Sequence, residues 1–182
     1  METFADTREL VDDIGYPERR ERALAALDLD AIDLPIRDIV RDLAALSHCF
    51  TLQCCCGHFV YAGQDDSQNL APLPAEDVGA VRYRIAYLAL CLRYSENGRR
   101  LLGALSALTE VDSGYVQFGS PGWFWCEHPN SYALQVEPER FRDKDEALVG
   151  YNEALRIQQV RNEFFERLRD VVARESTLAG AG

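Results

Sequence analysis

Cysteine and histidine are the side chains that bind soft metals and, as thiolate or imidazole, act on electrophiles. Four of this chain's six cysteines and two of its three histidines fall in one stretch, SHCFTLQCCCGHFVYAG, residues 47–63. On an extended strand successive side chains point to opposite faces, so Cys54, Cys56 and His58 are expected to share a face while Cys55 points away. Cys126 and His128 repeat the same Cys-x-His spacing about 70 residues on. Two such pairs brought together supply two thiolates and two imidazoles, the ligand set of a tetrahedral zinc site. The usual separation within a ligand pair is two to five residues rather than one. A catalytic zinc would have three protein ligands and water at the fourth position.

Two other chemistries compete for the same residues. A reactive thiol needs a lowered pKa, which Cys56 would take from His58 and a nearby arginine strand. The third reading is a buried strand that uses cysteine as a small apolar residue, as Cys91 in LALCLRY is expected to do. His48, at the end of a helix, is placed to favour the helix dipole. Trp123 and Trp125 alternate along a hairpin and are expected to face the core. No P-loop, dinucleotide fingerprint or serine nucleophile elbow is present.

Charge narrows the partners. The net charge is −11, and residues 1–46 hold twelve acids against six arginines. Residues 81–102 reverse the sign, with Arg82, Arg84, Arg93, Arg99 and Arg100 against Glu96 alone. Phosphate contacts supply most nucleic-acid affinity, so a chain this acidic is poorly suited to generic nucleic-acid binding. Arg82, Arg84 or Arg93 is nevertheless placed to meet one phosphate or carboxylate. No run reaches the roughly 18–20 apolar residues of a membrane span. The acidic N-terminus lacks the pattern of a secretory signal, so no membrane partner and a cytoplasmic location are expected. Thiols stay reduced there, which argues against a disulfide framework.

The elements that must position these residues follow from periodicity. PERRERALAALDL predicts a first helix with Ala23, Leu24, Ala26 and Leu27 on one side. Asp33 is placed to cap a second, with Pro35 in its first turn and Ile36, Ile39, Val40, Leu43 and Leu46 inward. Residues 50–53 and 58–61 read as strands, and Gly57 permits a bulge or turn between them. After a loop over 63–77, VRYRIAYLALCLRY reads as one strand running from an exposed end into a buried centre. Ser95 caps a central helix facing inward through Leu101, Leu102, Leu105 and Leu108. GYVQFGS is a further strand, and residues 123–138 read as a hairpin around His128–Ser131. A long C-terminal helix buries Leu148, Tyr151, Leu155, Val160, Phe164, Phe165, Leu168 and Val171. The order predicts one α+β domain over residues 1–175 with a mixed or antiparallel sheet, and a disordered tail over 176–182.

The second helix and the cysteine cluster together resemble one family, the tRNA wybutosine-synthesis methyltransferases that act in the third step of that pathway. Those proteins carry an Asp-led amphipathic helix followed by T-[TS]-S-S-C-[SA]-G-R. Here Asp33, Ile36, Ile39 and Val40 form the helix and TLQCCCGHF the motif. Thr51, Cys55 and Gly57 match; Gln53 and Cys54 stand for the serines, Cys56 for the small residue and His58 for the arginine. YLALCLR leading to GYVQFGS, and the closing EALVGYNEALRIQQVRNEFFERL, are similar to later segments of that family. The resemblance implies an α+β fold that binds S-adenosylmethionine without a Rossmann glycine loop and methylates a tRNA nucleoside. Its pocket would be lined by Thr51, Gln53, Cys54, Cys55, Cys56, Gly57 and His58. The lost serines and arginine allow the fold with a changed small-molecule ligand. A zinc site at Cys56, His58, Cys126 and His128 and a non-catalytic binding protein with a cysteine-rich core strand stand beside it.

Overall fold

The clearest alternation in the chain, Ala80-Val81-Arg82-Tyr83-Arg84, becomes a strand with Val81 and Tyr83 buried and the two arginines outside. The computed structural model describes residues 4–141 and 144–180. In chain order the elements are β1 (Phe4–Ala5), α1 (Tyr16–Ala26), α2 (Arg37–Ala45), β2 (Cys49–Cys55), β3 (His58–Tyr61), β4 (Ala80–Arg84) and β5 (Ala86–Leu92). Then follow α3 (Glu96–Ser106), β6 (Val116–Pro121), α4 (Gly122–Glu127), β7 (Ser131–Val136), β8 (Glu146–Gly150) and α5 (Tyr151–Gly180).

The fold is α+β, and every strand pairing is antiparallel. One sheet has five strands in the order β1-β6-β7-β5-β2; the other has three, β3-β4-β8. A continuous apolar cluster joins both sheets to α2, α3 and α5, from Ile39 and Leu43 through Leu88, Leu90 and Leu101 to Phe164 and Leu168. Each such fully buried side chain contributes about 1.5–3 kcal/mol. The Ser95 hydroxyl accepts the Gly98 N–H at 3.1 Å and caps α3 as its sequence requires.

Several expectations need correction. The single strand predicted over residues 81–94 is two, because Ile85 lies between β4 and β5 and the chain passes there from one sheet to the other. The hairpin predicted over residues 123–138 is a short helix, α4, followed by β7. Trp125 packs edge-on against Tyr132, whereas Trp123 is exposed. Residues 146–150 form an edge strand rather than the start of the last helix. Ala147 and Val149 face inward there, and Leu148 is 70 % exposed. A Glu-Ala-Leu run has helical propensity, but pairing with β4 overrides it. Helix α5 continues through residues 176–180, in place of the expected tail, and residues 181–182 lie outside the described part. Among the described residues no helix is long and apolar enough to cross a membrane.

Candidate functional site

A β-bulge sets the orientation of the cysteines. Thr51 lies opposite Leu90 but Gln53 lies opposite Ala89, so Leu52 is the extra residue. Beyond it Cys54 pairs with Leu88 and packs against the main core, while Cys55 pairs with Tyr87 on the other face. Cys56 also joins the core. Cys54 and Cys56 thus both pack on the core, whereas His58 lies with Cys55.

Gly57 is the reason. Its φ of +82° turns the chain left-handed between β2 and β3, which breaks the alternation and brings His58 back towards Cys55. The turn is fastened at both ends. The Gly57 N–H donates to Cys55 Sγ at 3.4 Å, and the Gly57 carbonyl accepts from Arg161 Nη1 of α5 at 3.0 Å. The Arg161 guanidinium also lies 5.1 Å from the Phe59 ring centroid.

Asp33 completes the site. The sequence assigns it a helix cap, yet its side chain makes no cap hydrogen bond. Instead Asp33 Oδ2 accepts the Cys56 N–H at 2.8 Å and stands 3.4 Å from His58 Nε2. His58 is 1 % exposed, and its Nδ1 lies 3.2 Å from the Asn69 carbonyl. A carbonyl only accepts, so Nδ1 carries a proton and Nε2 faces Asp33. Ligand atoms of Asp33, Cys55 and His58 all lie within 4.8 Å of one another.

The other candidates fall elsewhere. The Asn130 carbonyl accepts the Leu92 N–H, so the α4–β7 connection carrying His128 sits at the Leu92 end of β5. Cys55 lies at the Tyr87 end, about 17 Å away along the strand. Cys126 and His128 therefore do not join Cys56 and His58, and no four-residue group forms among the described residues. Arg93 lies just past Leu92, its N–H bound to the His48 carbonyl, and is remote from the site for the same reason. Arg82 lies 3.9 Å from Glu146 on the outer face of β4. Arg84 is across from His58 in register, and its charge reaches Cys55 and Tyr87. Gln53 is exposed, and Thr51 is three β5 positions from the Cys55 pair.

Electrostatics exclude a resting thiolate. Burial pushes the Cys54 thiol up to about 12, with the Asp33 carboxylate adding to it. Burial likewise raises Cys56 and Cys55, and the Gly57 N–H offsets only part of the Cys55 shift. The expectation of a lowered Cys56 pKa is thus corrected: the neighbouring charge is a carboxylate, and His58 contacts that carboxylate.

His48 is also not a dipole partner. Helix α2 ends at Ala45, and His48 is buried with Nε2 3.7 Å from Glu175, which Arg100 holds through three hydrogen bonds of 2.9–3.2 Å. Burial lowers the pKa of His48, and also that of His128. A neutral folded imidazole lets the unfolded chain bind more protons below its ordinary value of 6.5. The contribution of these imidazoles to stability is therefore full above pH 6.5 and is lost as the pH drops below it. Urea midpoints at pH 7.5 and 5.5 should show this decline, and His48→Gln should make it shallower.

No family model matches the chain, and no curated protein matches it. Among solved structures it is similar to the PH1069 protein from Pyrococcus horikoshii, in two structures with 12 % identity and a TM-score of 0.47. Those alignments cover 92 % and 93 % of this chain and 95 % of that one. It is also similar to a hypothetical protein from Aeropyrum pernix, with 12 % identity, a TM-score of 0.43 and coverage of 80 % and 98 %.

Proposed function

We propose that this chain is a diverged relative of the wybutosine-synthesis methyltransferases and binds S-adenosylmethionine beside the Cys55–His58 turn. One observation carries the reading. Asp33 and the turn are the two parts on which the resemblance rests. They meet in one hydrogen-bonded site although Asp33 and Cys56 are 23 positions apart.

The sheet face that carries Cys55 supports a ligand there. Cross-strand pairing continues that row as Tyr87, Gln135 and Gln117. Gln117 is 8 % exposed, and its Nε2 has no hydrogen-bond partner among the described residues. A buried amide donor costs about 1–3 kcal/mol when unpaired, so a bound acceptor at that edge recovers it. In the next row, Gln53, Ala89, Ala133 and Gly119, the two alanines are covered by Leu52 and Phe124, so a ligand is confined to the row of Cys55 and Tyr87. Asp33 supplies a carboxylate for the positive sulfonium, and Arg84 a cation for the ligand's own carboxylate. When bound, S-adenosylmethionine supplies a methyl group on a sulfonium leaving group. The −11 charge favours a small methyl acceptor, or one exposed nucleoside, over a long tRNA footprint.

Native-state ligands stabilise by mass action, about 2.7 kcal/mol at a hundred times Kd. S-adenosylmethionine and S-adenosylhomocysteine are each expected to raise the melting temperature by several degrees. No shift with either at millimolar concentration would remove the reading.

A further inference from the structure

We propose that Asp33, Cys55 and His58 bind one zinc ion, with its fourth coordination position open to water or a small ligand. This goes beyond the S-adenosylmethionine reading and does not depend on it.

The donor set is one sulfur, one imidazole nitrogen and one carboxylate oxygen, which suits a borderline-soft divalent ion in tetrahedral geometry. Zinc bonds of about 2.0–2.2 Å to nitrogen and oxygen, opened to the tetrahedral angle, hold those two atoms about 3.3–3.5 Å apart. His58 Nε2 and Asp33 Oδ2 are 3.4 Å apart, which is longer than an ordinary charge-assisted hydrogen bond. The orientation of the imidazole suits ligation. With Nδ1 directed at the Asn69 carbonyl, Nε2 is the ring nitrogen that faces the carboxylate and can ligate a metal.

The outer groups fit the same reading. A ligating carboxylate is commonly hydrogen-bonded, and Asp33 accepts the Cys56 N–H. The Gly57 N–H, donated to Cys55 Sγ, stabilises a thiolate there. On binding, the Cys55 S–H bond breaks, its proton goes to solvent, and the sulfur lone pair forms the metal bond. Thiolate and carboxylate then neutralise the double charge of the ion. Three protein ligands rather than four is the pattern of a zinc that accepts a further ligand.

Cobalt(II) titrated into the chelator-stripped full chain, in a Cys126→Ser background that removes the exposed thiol, tests this. The proposal expects about one cobalt per chain, thiolate-to-metal charge-transfer absorption in the near ultraviolet, and intense four-coordinate visible bands. Zinc should displace the cobalt and abolish both. Cys55→Ser should lose the charge-transfer band, and Asp33→Asn, which keeps an acceptor for the Cys56 N–H, should weaken binding more than about tenfold. A folded chain that takes up no cobalt overturns the proposal. So does a charge-transfer band that survives Cys55→Ser, or unchanged affinity in Asp33→Asn. Because the metal-free chain can be given S-adenosylmethionine separately, failure of one reading leaves the other standing.

Discussion

Gly57→Ala should lower the melting temperature by about 10 °C. A left-handed conformation costs an L-residue roughly 1–2 kcal/mol, and Gly57 has φ +82°. An added Cβ would also meet Ala86 Cβ at 2.9 Å and both Cε2 and Oη of Tyr83 at 3.0 Å. None of these atoms is the free end of a flexible chain, because Tyr83 is fully buried and doubly hydrogen-bonded. Overpacking of this kind costs about 1–3 kcal/mol. The sum is about 2–5 kcal/mol, and a domain of this size loses about 2–4 °C for each kcal/mol. Gly63 provides the control: its φ is +87°, but a Cβ added there would meet nothing within 4 Å. Gly63→Ala should therefore cost only the conformational part, a few degrees. Equal losses at the two positions would mean that the Gly57 turn is not packed as described.

The second large effect is at the junction of the two sheets. Tyr83 belongs to β4, yet its hydroxyl donates to the Val136 carbonyl of β7 at 2.9 Å and accepts the Ala86 N–H of β5 at 2.9 Å. The ring stacks on Phe59 with centroids 5.0 Å apart. Tyr83→Phe keeps the ring and leaves one backbone donor and one acceptor buried without their partner. Each such group costs about 1–3 kcal/mol, so the expected loss is about 3 kcal/mol, measured from denaturant midpoints. A loss below about 1 kcal/mol would mean that water replaces the hydroxyl at the junction. Since Tyr83 also walls the Gly57 turn, the same variant should weaken any ligand bound beside Cys55.

Legibility in the sequence follows the range of the interaction. Helix α2 and the inward leucines of α3 depend on residues three and four apart, and Ile39, Leu43, Leu101 and Leu105 are buried as their spacing predicts. The Ser95 cap is equally local. Strand β8 and helix α4 escape a reading by periodicity because their states depend on pairing with β4 and packing on Tyr132, partners that periodicity does not reveal. Within the site, the cysteine cluster and Gly57 are visible as residue types. Their facing is not, because an extra residue at Leu52 and a left-handed Gly57 both break the simple alternation. Asp33 looks like a cap, since an Asp before Leu-Pro carries that signal. Nothing local ties it to Cys56. Asn69, Tyr83 and Arg161, which orient His58 and close the turn, give no signal at all, as each acts through hydrogen bonds across the fold.

The proposed ligand site lies around the Gly57 turn, on the Cys55 face of the sheet. Backbone amide spectra of the isotope-labelled chain, recorded while S-adenosylmethionine is added, test it most directly. Shifts are expected at Cys55, Cys56, Gly57, Tyr87 and the Gln117 side-chain amide, with the Cys126–Asn130 segment unchanged. Shifts confined to other parts of the chain, or a spectrum unaltered at saturating ligand, would contradict it.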